Sequence, residues 1–427
     1  MSYDTIVVGA GLAGLTAALR LTEHGQRVMV VARGIGATHL APATIDVLGY
    51  VADARVESPA VALPSLLGGE PEHPYAHLGA DRIAAALTWF CAHTEKLGYT
   101  GSLNANMLLP TAIGVARPSA LVPQTMAGGD LRAGGRFVFV GFKGFKDFHP
   151  SLLADNLTRA ELATPVTARA LVLDPPPSRR GDLSGRVMAG RFDAGELGDW
   201  IVSALDGKVD ADDRIGVPAV LGLRNADATW QALETRLGHS IFEVATLPPS
   251  IPGIRLYEAL ARQLRDAGTR IVLGVRVVGA RINGGRIEAL DVANATGPVS
   301  HPTGAVVLAS GGFASGGLEL DSFGATHETV FDLPLIGVSS VDRVRFAPGY
   351  FDEQPLATAG VATDDQMRPV RADGTPVYAN LYAAGAILGG AVPWKEKSGS
   401  GISVASGYAA ADAIVAPAPH LVTEAIR

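Results

Sequence analysis

Hydrophobic and polar positions alternate in recognisable blocks along the chain. Thr5 to Val8 is a short β-branched run, followed at once by glycines, and Leu15 to His24 carries Leu15, Leu19 and several alanines on one side of a helix. Gly25 is placed to cap that helix, and Arg27 to Val31 is an unbroken apolar strand, the mark of burial on both faces. Residues 58–74, rich in Pro and Gly, read as an irregular connection before a helix from about Asp81 to Leu97. A different pattern begins near Pro110. A strand is expected over Arg136 to Phe142, a helix over Pro150 to Arg159, and a turn-rich patch from Asp174 through Arg179 and Arg180 to Gly181. From Pro252 the pattern changes again: an amphipathic helix from Arg255 to Ala267, strands over Arg270 to Val278 and Arg281 to Asp291, the second split by the hairpin signal Asn283-Gly-Gly. A buried strand from Gly304 to Ser310 and a small-residue helix from about Gly401 complete the series.

This order predicts an α/β protein, and with the glycine turn after β-branched Thr5 to Val8 and the Gly-rich segments near residues 311 and 385 it resembles the Rossmann-like FAD/NAD(P)-binding flavoprotein fold. Residues 1–109 and 251–427 would form a discontinuous flavin-binding domain, and 110–250 an inserted α/β domain of the substrate-binding type. The most informative segment is Gly9-Ala-Gly11-Leu12-Ala13-Gly14, a G-x-G-x-x-G between a strand and a helix. In such a turn the first glycine makes the tight bend, the second lets backbone approach a pyrophosphate, and the third packs helix on strand, while the helix N-terminus offers free N–H groups to the phosphates. The second strand ends Val31-Ala32-Arg33, where an acidic residue for the adenosine ribose is expected. That departure favours FMN, which has no adenosine ribose, with FAD as the alternative. Arg33, Gly34 and Thr38 extend the candidate cofactor site, with Gly311 and Gly312 after the buried strand, Gly385, Gly389 and Gly390 near the C-terminus, and Gly401 and Ile402 opening the last helix. The segment Asn380 to Gly390 resembles the closing strand and loop of such flavoproteins, a resemblance that implies an acidic residue after Gly385, where this chain has Ala386.

Composition narrows the classes. The chain has 427 residues, 48% hydrophobic and 18% charged, enough to bury a large core, and its mean hydropathy is +0.23. A net charge of −7 without a basic stripe argues against nucleic acid. No long apolar run predicts a membrane span, and the N-terminus has no charged region and cleavage site of a secretory signal, so a cytoplasmic protein is expected. The single cysteine, Cys91, excludes an internal disulfide and an iron–sulfur cluster held by four thiolates of this chain; it reads as a buried small hydrophobe. His24, His93 and His239 read as solvated, and no spacing suits a metal.

Several longer strings carry a family resemblance: His73-Pro-Tyr75, Gly141-Phe-Lys-Gly-Phe-Lys-Asp-Phe148, Leu247-Pro-Pro-Ser-Ile-Pro-Gly-Ile-Arg255, Leu308-Ala-Ser-Gly-Gly-Phe-Ala-Ser-Gly-Gly317, Gly360-Val-Ala-Thr-Asp364 and Ala386-Ile-Leu-Gly-Gly390. With these the chain resembles the B subunit of the anaerobic glycerol-3-phosphate dehydrogenase nearly end to end. The resemblance implies an FMN subunit working with two partners: a catalytic flavoprotein subunit, and an iron–sulfur subunit that anchors the complex at the inner face of the membrane. It also implies glycerol 3-phosphate as substrate and quinone as the final acceptor. The loop Pro393 to Gly401 is more charged than the family's Gly-rich stretch. For the chemistry, His149 is the candidate base and Lys143, Lys146 and Arg255 are candidate phosphate ligands, since alcohol oxidation needs a proton acceptor and the phosphate needs cations. Two other readings stand beside this one: a non-catalytic scaffold with a vestigial flavin fold, and a stand-alone fumarate-reductase-like dehydrogenase.

Overall fold

The computed structural model describes residues 2–416 apart from 179, 180, 182, 339–345, 350 and 351; part of the expected turn at Asp174–Gly181, including Arg179 and Arg180, therefore lies outside the described residues. In chain order the elements that frame the site are β1 (Tyr3–Val8), α1 (Leu12–Glu23), β2 (Val28–Ala32), α2 (Pro59–Gly69), α3 (Pro74–His93), β3 (Gly135–Phe142), α4 (Pro150–Arg159), β4 (Val166–Leu173), β5 (Asp213–Pro218), β6 (Ile241–Val244), α5 (Ile251–Asp266), β7 (Arg270–Leu273), β8 (Arg276–Asn283), β9 (Arg286–Asn294), β10 (Gly297–Leu308), β11 (Leu381–Ala383) and α6 (Gly399–Val415).

The main sheet has the order β7-β2-β1-β10-β9-β8, with β11 also pairing β10. β1 lies at its centre because its residues are buried on both faces: Ile6, Val7 and Thr5 are fully buried. It pairs in parallel with β2 on one side (Val8 opposite Val31) and with β10 on the other (Val8 opposite Leu308). The connections leaving β1 thus diverge, and the ends of β1 and β10 form a crevice at a topological switch point, where open α/β sheets bind ligands. A second sheet, β4-β3-β5-β6, is parallel throughout. It has its own apolar core between Leu108 and Ile251, with Phe137, Phe139 and Phe242 in edge-to-face and stacked contact.

α6 lies across α1 with unusually small residues between them. A Cβ at Gly407 would sit 2.5 Å from the Ala13 carbonyl oxygen, so a larger residue would push the helices apart. Arg20 of α1 closes the pair with a 2.7 Å ion pair to Asp412.

Several local expectations are corrected. Residues 59–69 are helical, not irregular: Ser58 caps the helix through the Val61 amide and Pro59 occupies its first turn, where a missing N–H costs nothing. The next helix starts at Pro74 and bends at Gly79, whose φ of 72° interrupts it. The strand expected over Arg270 to Val278 breaks at Gly274 into β7, paired with β2, and β8, paired with β9. β10 is longer than expected because its first half pairs antiparallel with β9 and only its second half joins β1. Cys91 is half-buried against the main core. His93 pairs with Glu23 and stacks on Trp89, and His239 hydrogen-bonds the Asp213 carbonyl, so neither is simply solvated. No helix among the described residues is long and apolar enough to cross a membrane.

Candidate functional site

A cleft of about 570 Å³ follows the C-terminal ends of β1, β2 and β10. Its floor is the turn Gly9–Gly11 and the start of α1. Gly11 is the N-cap of that helix and has no side chain to cap it, so the first-turn amides, which lack intrahelical partners, are available with the positive end of the helix dipole. The glycines of this turn divide by role. A Cβ at Gly9 or Gly14 would lie 2.1 Å from a backbone oxygen, of Ala309 and of Gly9 respectively, so both are required for the fold. A Cβ at Gly11 or Gly34 would meet nothing within 4 Å. Packing does not demand glycine there; the space beside both is cleft.

Polar groups left without partners point to the same place. Thr38, Thr44, Ser310 and His39 all line the cleft, and Thr38 Oγ1, Thr44 Oγ1, Ser310 Oγ and His39 Nδ1 are buried with no hydrogen-bond partner among the described residues. Thr38 and Thr44 are only 6% and 4% exposed. Leaving a buried polar group unsatisfied costs about 1–3 kcal/mol, so four in one cleft fit a polar, multiply hydrogen-bonding ligand. The cleft continues in both directions from Gly11. One arm passes Ala32 and Arg33 to Val275–Val277. The other passes Ala384–Ala386 to Gly399, Ser400 and Ser403 at the start of α6. At the first arm Val275 N–H donates to the Ala32 carbonyl, and Arg33 and Arg276 line the wall without an ion pair among the described residues. At the second, Ser400 Oγ donates to the Thr44 carbonyl and accepts from the Asp46 amide, clipping segment 44–46 to α6.

Of the residues expected from sequence, Gly9, Gly11, Leu12, Ala13, Arg33, Gly34, Thr38, Gly311 and Gly385 line this cleft. Gly14 and Gly312 do not line it; a Cβ there would meet the carbonyl oxygens of Gly9 and Ala386, two residues that do. Gly389, Gly390, Gly401 and Ile402 do not line it: a Cβ at Gly390 would strike the Glu72 carbonyl and one at Gly401 the Tyr75 hydroxyl, and Ile402 is core. The charged loop before α6 is a structural clasp. Glu396 accepts from the buried His73 ring (3.2 Å), from Ser398 (2.7 Å) and from the Val392 amide (2.5 Å). Burial pushes its carboxyl up, but these hydrogen bonds outweigh it and hold the group below the usual carboxylate range.

The residues expected to carry chemistry lie elsewhere. His149 is exposed at the N-cap of α4. Lys143 is exposed and pairs with Asp174 at 2.7 Å, and Lys146 is exposed. Arg255 is buried, and its guanidinium is spent on Glu243 (2.5 and 2.8 Å) and the Gly222 carbonyl (2.7 Å). None of the four lines the cleft. His39, which no sequence pattern marked, does. It is held there by its carbonyl accepting from Ser250 N–H at 2.8 Å.

A family model described as "FAD binding domain" matches residues 4–402. A probable B subunit of an anaerobic glycerol-3-phosphate dehydrogenase from Halobacterium salinarum is 35% identical over 425 residues, covering 96% of this chain and 97% of the relative. The B subunit of the anaerobic glycerol-3-phosphate dehydrogenase of Pectobacterium carotovorum is 32% identical over 430 residues, 97% of this chain and 99% of the relative. Among solved structures, an open conformation of a flavocytochrome c3 fumarate reductase aligns with 97% of this chain and 78% of its own at a TM-score of 0.47 and 12% identity. The family match supports FAD, and the expectation of FMN as the main occupant is not supported. The two-armed cleft gives the physical reason. Losing the carboxylate at position 32 removes one hydrogen-bond partner, worth about 0.5–1.5 kcal/mol, but the arm that would take an adenosine is present.

Proposed function

The chain belongs to the family of anaerobic glycerol-3-phosphate dehydrogenase B subunits, built on an FAD binding domain, and from that premise we propose that it is a flavin-bearing subunit of a complex that oxidises glycerol 3-phosphate to dihydroxyacetone phosphate. The observation that carries this reading is the cleft itself: open space at Gly11 and Gly34 and unpartnered hydroxyls, in a chain of which 96% aligns with a protein so named.

The residues divide the work. The first-turn amides of α1 would hold the pyrophosphate, Thr38 and Ser310 would donate to the cofactor, and the N-terminus of α6 would face its ring half with positive partial charge. The flavin, when bound, supplies a two-electron acceptor for the carbinol carbon. His39 is the group best suited to receive the hydroxyl proton, since its Nδ1 is buried and has no hydrogen-bond partner among the described residues. Cys91 cannot by itself ligate an iron–sulfur cluster, so electrons would leave to clusters on another subunit, which would also bring the assembly to the inner face of the membrane and its quinone pool. The test is dye reduction by the purified complex with glycerol 3-phosphate. His39→Asn should lower kcat about 10²–10⁴-fold, the usual contribution of a general base, with flavin content unchanged. Wild-type turnover in that variant would remove His39 from the reaction.

A further inference from the structure

Beside the flavin cleft lies a second, smaller recess of about 240 Å³, and the two share Leu40 and Thr44 in their walls. Because Ser400 ties segment 44–46 to the start of α6, the recess opens at the ring arm of the cleft and not at the arm beyond Ala32. Its volume is below the roughly 300–1,000 Å³ of sites for drug-sized ligands, which suits a small metabolite. It lies between Leu40 and Thr44 on one side and Leu109, Ala112 and Met126 on the other, where Leu109 and Met126 belong to a small apolar cluster with Met107 and Val122. We propose that this recess is the substrate subsite and takes a small phosphorylated polyol, with Arg117 on the phosphate and Thr44 on a hydroxyl at the flavin end.

Two observations carry this. First, Thr44 faces both spaces, is only 4% exposed, and its hydroxyl has no partner among the described residues. A polar group in that condition at a junction between two cavities is an unmet contact for a ligand. Second, the charged groups of the recess are unequal. Glu243 is saturated by Arg255, Thr125 Oγ1 and the Leu221 amide. Arg117 is held by Asp46 through Nε at 2.9 Å and through Nη2, an anchored guanidinium that still reaches the wall of the recess. Lys397 lies close enough to sense both: burial and the Arg117 charge push its ammonium below the ordinary lysine value, and Asp46 opposes them. Lys397 stands outside the recess and donates to the Trp394 carbonyl, so Asp46 is shared between it and Arg117, and Arg117 is the cation in the recess wall that an incoming phosphate would meet.

The subsite rests on the function proposed above, so the experiment separates the two. Flavin-loaded chain is titrated with glycerol 3-phosphate by calorimetry, and flavin content is measured on the same samples. Arg117→Met should weaken binding about 10- to 100-fold, the loss expected for charge-assisted hydrogen bonds to phosphate. Because that change also strands Asp46, a second variant, Ala112→Phe, fills the recess from a partly exposed turn and leaves every charge in place; it should weaken binding at least as much. Both should keep wild-type flavin content. Wild-type affinity in Ala112→Phe and in folded Arg117→Met would overturn the subsite while leaving the functional reading intact. No binding of glycerol 3-phosphate by the wild-type protein would overturn the functional reading and the subsite with it.

Discussion

Substituting Gly11 by Val separates the two roles that glycines play in the β1–α1 turn. Gly11 has φ −78° and ψ −176°, an extended backbone open to any residue, and its Cβ would enter empty space. Valine should therefore cost the fold only its poorer preference for the N-cap, about 1 kcal/mol. In the cleft it would occupy the approach to the first-turn amides. Losing two amide-to-phosphate hydrogen bonds, at about 1.5–3 kcal/mol each for a charged acceptor, gives about 3–6 kcal/mol, or roughly 10²- to 10⁴-fold in flavin Kd. Gly14→Ala behaves differently, because its Cβ would lie 2.1 Å from the Gly9 oxygen and force helix from strand. The assay is flavin absorbance per chain after desalting, with thermal unfolding of the flavin-free proteins alongside. Gly11→Val should lose flavin and unfold within about 2–4 °C of the flavin-free wild type, the shift that about 1 kcal/mol gives, whereas Gly14→Ala should lose flavin and unfold well below it. Full flavin retention by Gly11→Val, or unfolding as early as Gly14→Ala, would refute the reasoning.

Arg255→Ala should destabilise the protein by about 3–5 kcal/mol, the cost of leaving Glu243 as an unpaired buried charge; denaturant unfolding measures it, and the Arg255→Met/Glu243→Leu double variant should recover much of the loss. Glu396 gives a pH signature. Its folded carboxyl titrates below the unfolded one, so its contribution to stability is complete above the ordinary carboxylate value of about 4.3 and disappears as pH falls through the lower folded value. Glu396→Gln should therefore lower stability at neutral pH and flatten its fall on acidification, seen as a smaller difference between unfolding temperatures at neutral and acidic pH.

The parts of the fold legible in the sequence were those set by local pattern. The β1–turn–α1–β2 unit combines an apolar run with glycines at fixed spacing, and the Asn283-Gly-Gly hairpin needs only its own residues. What could not be read depends on partners far along the chain. β10 carries no internal sign that it changes from an antiparallel to a parallel neighbour midway. Arg255 resembled an anion ligand until β6 supplied Glu243. His39 enters the site because α5 packs on its segment so closely that a Cβ at Gly253 would lie 2.2 Å from the Thr38 oxygen, a contact spanning more than two hundred residues. Ala32 was legible but over-weighted: one absent carboxylate was read as an absent adenosine, whereas the walls around Val275–Val277 persist without it.

In the function proposed above, this chain itself holds a dinucleotide flavin in the two-armed cleft. Releasing the cofactor from the purified protein by denaturation and separating it by chromatography tests that most directly. FAD at about one per chain by stoichiometry is the expected result. FMN, or no stoichiometric flavin in this chain when its partners are separated from it, would contradict it.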